Sequence, residues 1–135
     1  MTRKMVAYIA TSVVALAALA TGCNEQTVCT LEFAYVVLKV QDTQGAAVTG
    51  LAISDTIVRT DQGFAVPQDL PFLDPGTYVV LSDDHTTLIR SGPQQVRVAG
   101  TKNGITAFTA DFLFDAPNGC HVRKLAGPST VVVGC

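Results

Sequence analysis

Turn-forming residues recur at short intervals along this chain, and that punctuation limits its fold more than any other feature. The clusters read Asp42-Thr43-Gln44-Gly45, Asp61-Gln62-Gly63, Asp74-Pro75-Gly76, Ser91-Gly92-Pro93, Asn103-Gly104 and Pro117-Asn118-Gly119. Between them lie runs rich in Val, Ile, Thr, Phe and Tyr. No window after residue 23 carries a helical period. Candidate strands span 31–41, 48–59, 64–66, 77–82, 86–91, 94–99, 105–114, 120–125 and 129–133. Many short strands with regular turns predict an all-β fold, a single antiparallel β-sandwich of about seven to eight strands.

Side-chain alternation supports this. Phe108, Ala110, Phe112 and Phe114 fall on one strand face, with Thr109 and Asp111 on the other. Val96 and Val98 alternate with Gln95 and Arg97, and Asn103-Gly104 suits the hairpin that follows. The first strand places Ala34, Val36, Leu38 and Val40 on one face and Phe33, Tyr35 and Val37 on the other. That second stripe reads either as a partner surface or as a face covered by a neighbouring strand or the tail, with cover the expected outcome.

At 135 residues the chain suits one domain and is too short for two full-sized cores. Its charged fraction is low, but 48% hydrophobic residues argue against disorder. A net charge of −2 lacks the electrostatic footprint of a nucleic-acid binder.

The first 22 residues read as an address rather than as part of the fold. Arg3 and Lys4 form a positive start, Met5 to Ala20 is uncharged and apolar, and small residues lead to Cys23. An uncleaved N-terminal membrane helix is one alternative, for which the apolar run is short, and ordinary cleavage with Cys23 free or disulfide-bonded is another. Leu19-Ala20-Thr21-Gly22-Cys23 resembles a bacterial lipobox, with Leu one place further back than usual. The resemblance implies cleavage after Gly22 and lipidation of Cys23, which attaches the chain to a membrane. Asn24 after the Cys implies sorting to the outer membrane of the cell envelope. Residues 23–30 then form a lipid-anchored tether and 31–135 the sandwich domain. Export leaves seven Lys and Arg against eleven acids, a net charge of −4, so contact with lipid would come from the anchor alone.

Outside the cytoplasm thiols can oxidise. With Cys23 lipidated, Cys29, Cys120 and Cys135 remain, enough for one bridge. Cys29 lies just before the first strand and Cys120 opens a late one, which makes them the preferred pair. Cys120 with Cys135 is the alternative.

Leu38 to Gly50 places Asp42, Gly45, Val48 and Gly50 at set spacing, and Leu73-Asp74-Pro75-Gly76-Thr77-Tyr78 follows. Together they resemble the carboxypeptidase regulatory-like domain, a transthyretin-like β-sandwich, over roughly residues 31–100. The resemblance implies a non-catalytic accessory or surface module and transfers no site residue. Gly45 and Gly76 can take positive φ in their turns. Tyr78 can bury its ring at the corner while its hydroxyl reaches backbone. The Asp-, Gln- and Pro-rich stretch between Val58 and Pro71 departs from the family pattern.

Candidate chemistry is sparse. Asp83-Asp84-His85 could ligate a cation, but consecutive strand residues diverge, so a solvated turn is the plainer reading. Cys120-His121 invites a nucleophile–base pair, yet on a strand His121 and Arg123 would face out while Cys120 and Val122 face in. Asp42, Asp55, Asp61, Asp69 and Asp74 lie in or near turns, where Asp commonly bonds backbone, with calcium binding by these loops the alternative. Arg90, Arg97, Arg123 and Lys124 are scattered. No catalytic residue, metal site or cofactor is expected. An enzyme would need the fold to bring His85 or His121 to a carboxylate and a Ser or Cys in a cleft. The expected function is that of a non-catalytic envelope lipoprotein, an interaction or structural module whose partners are envelope proteins. A carbohydrate- or small-ligand-binding accessory module is the alternative.

Overall fold

The computed structural model describes residues 29–134. The signal segment, Cys23 and Cys135, and with Cys135 the alternative bridge, lie outside the described residues. The chain is all-β. Its strands are β1 (Tyr35–Asp42), β2 (Ala52–Ile57), β3 (Gln62–Phe64), β4 (Thr77–Ser82), β5 (Gln94–Lys102), β6 (Ile105–Asp115), β7 (Arg123–Ala126) and β8 (Thr130–Val133). They form a three-stranded sheet in the order β4-β1-β8 and a five-stranded sheet in the order β3-β2-β5-β6-β7. All pairings are antiparallel except β1 with β8. The parallel pair arises because the chain leaves β7 on one sheet and, through Gly127-Pro128, joins the other alongside β1.

The inner faces follow the alternation of the sequence. Leu38 and Val40 from β1 meet Val96 and Val98 from β5 and Phe108, Phe112 and Phe114 from β6 in one buried cluster. The Phe112 and Phe114 rings stack with centroids 5.4 Å apart. Gly100 lies opposite Phe108, whose ring occupies the space where a Cβ would sit. The Tyr78 ring is buried, and its hydroxyl donates to the Val48 carbonyl (2.7 Å) and accepts from the Leu51 N–H (3.3 Å). That side chain fixes the segment carrying the chain from β1 towards β2. Gly76 turns the corner before it with φ +79°, and an added Cβ would lie 2.8 Å from Ala47 Cβ.

Three expectations change on folding. Residues 86–91 are not a strand, because Thr86–Ile89 makes a helical turn, labelled α1, after a 3-10 turn at Asp83–His85. Leu88 and Ile89 both pack on the core, which strand alternation forbids for adjacent residues. At the other end, residues 120–122 precede β7 rather than belong to it, because the Val122 N–H is held by a side chain instead of a ladder. The stretch between Val58 and Pro71 holds only the short β3, which falls at Gln62–Phe64 rather than at 64–66. Beyond it, Gln68 acts as a surrogate strand, with its amide donating to the Val79 carbonyl (2.7 Å) and accepting from the Val79 N–H (2.8 Å). It thereby satisfies part of the β4 edge, which would otherwise be open to another strand.

Asp55 is the exception inside the core. It sits mid-strand in β2 opposite Val98 and Phe64, not near a turn, and is 1% exposed. Neither carboxylate oxygen has a hydrogen-bond partner. Burial alone pushes its carboxyl from the usual 3.8 up to about 8. A folded-state value raised in this way stabilises the fold fully below about 4, and that contribution is lost as pH rises towards 8. Stability should therefore fall by up to about 1.4 kcal/mol per pH unit across that window. Asp55→Asn should remove the slope and raise stability at neutral pH by roughly 2–4 kcal/mol, as read by urea melts at several pH values. Gln68→Leu should cost roughly 1–3 kcal/mol by orphaning the Val79 backbone groups, measured in the same way.

Candidate functional site

Cys29 and Cys120 are joined by a disulfide across 91 residues, with their Cα atoms 5.2 Å apart. A loop of that length constrains the unfolded chain by roughly 4–5 kcal/mol in the chain-entropy account. The bridge also sets the next residue on each side. Thr30 and His121 follow the two cysteines, and Thr30 Oγ1 lies 2.7 Å from His121 Nε2. The other ring nitrogen, Nδ1, lies 2.5 Å from Asp83 Oδ2. Asp83 comes from the far end of β4, where the chain turns into the 3-10 segment.

Asp83 is thus no solvated turn residue, its side chain being 7% exposed. Its Oδ2 also accepts the Ala34 N–H (2.8 Å), and Oδ1 accepts the Val122 N–H (2.8 Å). Burial pushes this carboxyl up, but the bonds from Ala34, His121 and Val122 outweigh it and hold the carboxyl below its ordinary value. His121, expected to face solvent, is drawn down to the carboxylate because residues 120–122 leave the strand. Its ring is partly exposed at the mouth of an open cleft of about 470 Å³ lined by Cys29, Thr30, Asn118, Cys120 and Arg123.

With Nδ1–H donated to Asp83, Nε2 is left to accept from the Thr30 hydroxyl, a tautomer set by the network. Hydroxyl, imidazole and carboxylate stand in the order of an activated nucleophile. The hydroxyl is a threonine rather than the serine or cysteine that the sequence argument required. Two donors of the cleft wall are engaged elsewhere, the Val122 N–H on Asp83 and the Arg123 guanidinium on Asp115 (2.9 and 2.7 Å). The alignment also follows from the crosslink itself, which sets the two residues after the bridged cysteines side by side. The arrangement works as a polar clasp that locks residues 29–34 and 120–122 onto the end of β4.

Other candidates scatter. His85 turns away from Asp83, with Nδ1 3.3 Å from Ser82 Oγ and Nε2 3.2 Å from the Ala65 carbonyl. Asp42 caps its own turn, accepting the Gln44 and Ala46 N–H groups (2.8 and 2.9 Å). Arg97 pairs with Asp111 across the β5–β6 ladder (2.9 Å). No group of three or more His, Cys, Asp or Glu that could hold a metal occurs among the described residues.

The stripe Phe33, Tyr35 and Val37 is exposed, not covered. Tyr35 instead meets Phe72 from the loop after β3, with ring centroids 5.1 Å apart, and Phe33 lies 4.9 Å from Tyr35. Thr30 and Phe72 carry no local signal in the sequence. Thr30 becomes visible only once Cys29 is paired with Cys120.

No protein-family model, curated protein or solved structure matches this chain.

Asp83→Ala should destabilise the fold by roughly 3 kcal/mol, since the Ala34 and Val122 N–H groups each lose a partner at about 1–3 kcal/mol. Thr30→Val, which removes only the outermost hydroxyl, should cost under about 1 kcal/mol in the same denaturant titration. The Asp83 contribution is present above the ordinary carboxylate value and lost as pH falls below it, opposite in sign to Asp55. Stability should therefore peak near pH 4 and decline on both sides.

Proposed function

We propose that this chain is a bacterial envelope lipoprotein whose single β-sandwich acts as a non-catalytic interaction or structural module. The observation that carries this reading is the N-terminal order of charges, apolar run and small residues ending at Cys23. The disulfide between Cys29 and Cys120 accords with an oxidising compartment. The sandwich resembles the carboxypeptidase regulatory-like domain in its Asp42-to-Gly50 and Pro75-Gly76-Thr77-Tyr78 segments, and accessory modules of that kind work by contact rather than by chemistry. Among the described residues no helix is long and apolar enough to cross a membrane. Attachment in this reading comes from acyl chains on Cys23, and two or more are needed for stable anchoring.

A second reading, a carbohydrate-binding accessory module, is favoured by one observation. Phe33, Tyr35 and Phe72 form an exposed aromatic group of the kind on which sugar rings stack. A thermal shift that stays flat across a glycan panel would dismiss it.

Intact mass of the protein from membranes should equal the chain from Cys23 onward plus a diacylglyceryl group and any further acyl chain. Cys23→Ser should move the protein to the soluble fraction. Incubation with an activated ester should leave Thr30 unacylated by peptide mass mapping. A full-length mass with unmodified Cys23 would remove the lipoprotein reading, and an acyl adduct on Thr30 would remove the non-catalytic one.

A further inference from the structure

Phe33, Tyr35 and Phe72 form a continuous exposed aromatic strip beside the start of β1, and Leu31 next to it is fully exposed. Phe33 and Phe72 are 46% and 56% exposed, so large rings stand in water at one end of the sandwich. We propose that this strip is the seat of the sandwich on its own bilayer: Leu31, Phe33, Tyr35 and Phe72 dip into the headgroup region of the membrane to which Cys23 is attached.

The proposal rests on the lipoprotein reading and deepens it by naming what the face touches. Chain length is the first argument. Six peptide units separate Cys23 from Cys29, a reach of at most about 20 Å even when fully extended. Cys29 is fixed to the body by its bridge, and Thr30 by its bond to His121. The strip begins one or two residues later, so an anchored body cannot hold it far from the lipid surface. A surface held at such short range meets the bilayer at high effective concentration.

Chemistry is the second argument. The exported chain carries a net charge of −4, so anionic lipid does not attract it. Contact must then come from apolar burial, and Phe and Leu with an amphipathic Tyr suit the boundary between headgroups and acyl chains. Direction is the third. The opposite end of the sandwich holds the β5–β6 hairpin. There Lys102 Nζ donates to the Thr49 carbonyl (3.3 Å), and the neighbouring Val48 N–H donates to Val40 (3.0 Å), late in β1. Ile105 on that hairpin is also exposed, but it stands at the end away from the tether.

The chain contains no Trp, so one introduced indole is a clean reporter. The lipidated Phe72→Trp and Ile105→Trp proteins, processed to Cys23, are each placed in vesicles of phosphatidylethanolamine and phosphatidylglycerol with brominated acyl chains. The indole at position 72 should lose about half its emission and shift to the blue, while the one at position 105 should change little. Flotation of the unsubstituted protein with the same vesicles reads the anchor separately. If the protein floats and position 72 is unquenched, or both positions are quenched alike, the seat is wrong and the anchor stands. If the protein does not float, both readings fall. A blue shift at position 72 produced by peptidoglycan fragments, without quenching by lipid, would assign the strip to glycan and overturn the proposal.

Discussion

One carboxylate gathers the parts of this structure that are far apart in sequence. Asp83 stands at the end of β4 and accepts N–H groups from Ala34, just before β1, and Val122, just before β7, together with the His121 ring. Beside it the Cys29–Cys120 bridge joins the same two segments covalently. A hydrogen-bonded buried charge needs every partner in place, because each lost bond leaves a desolvated group behind. The clasp therefore sets where β1 begins. It also sets which face of the leading residues is turned outward, and with that the exposure of Phe33 and Tyr35.

Asp55 shows the converse. The two aspartates differ in burial, Asp55 lying inside the core and Asp83 at its margin, and they differ still more in company. Asp83 has donors on both oxygens and keeps its charge below the ordinary carboxylate range. Asp55 has none, and its carboxyl is pushed up to about 8. Desolvation acts on both, and hydrogen bonding to the charged form decides the sign. A protonated Asp55 opposite Val98 and Phe64 contributes no attraction that an apolar residue would not, so its presence costs stability at neutral pH.

Much of the sandwich can be read from local pattern. The alternation of Phe108, Phe112 and Phe114, the Asn103-Gly104 hairpin and the Tyr78 corner are short-range features, and each reappears where its chemistry places it. The stretch 86–91 has strand-like composition yet forms a helical turn, because crossing from one sheet to the other lets Leu88 and Ile89 share the core. The role of Gln68 is invisible in the sequence, since an amide standing in for a strand leaves no periodic trace. Thr30, Asp83 and His121 are ordinary turn or strand residues until the bridge brings them together.

Local pattern along the chain set the all-β class, the positions of the main turns, and which face of β1, β5 and β6 is buried. These follow from φ preferences and from a period of two, both set within a few residues. Tertiary structure alone decided that β8 would run parallel to β1, that Asp55 would be stranded in the core, and that Asp83 would hold His121. It also decided that Phe72 would meet Tyr35. Each of these joins residues far apart in the chain, and no local preference encodes a contact whose partner is chosen only when the two sheets close.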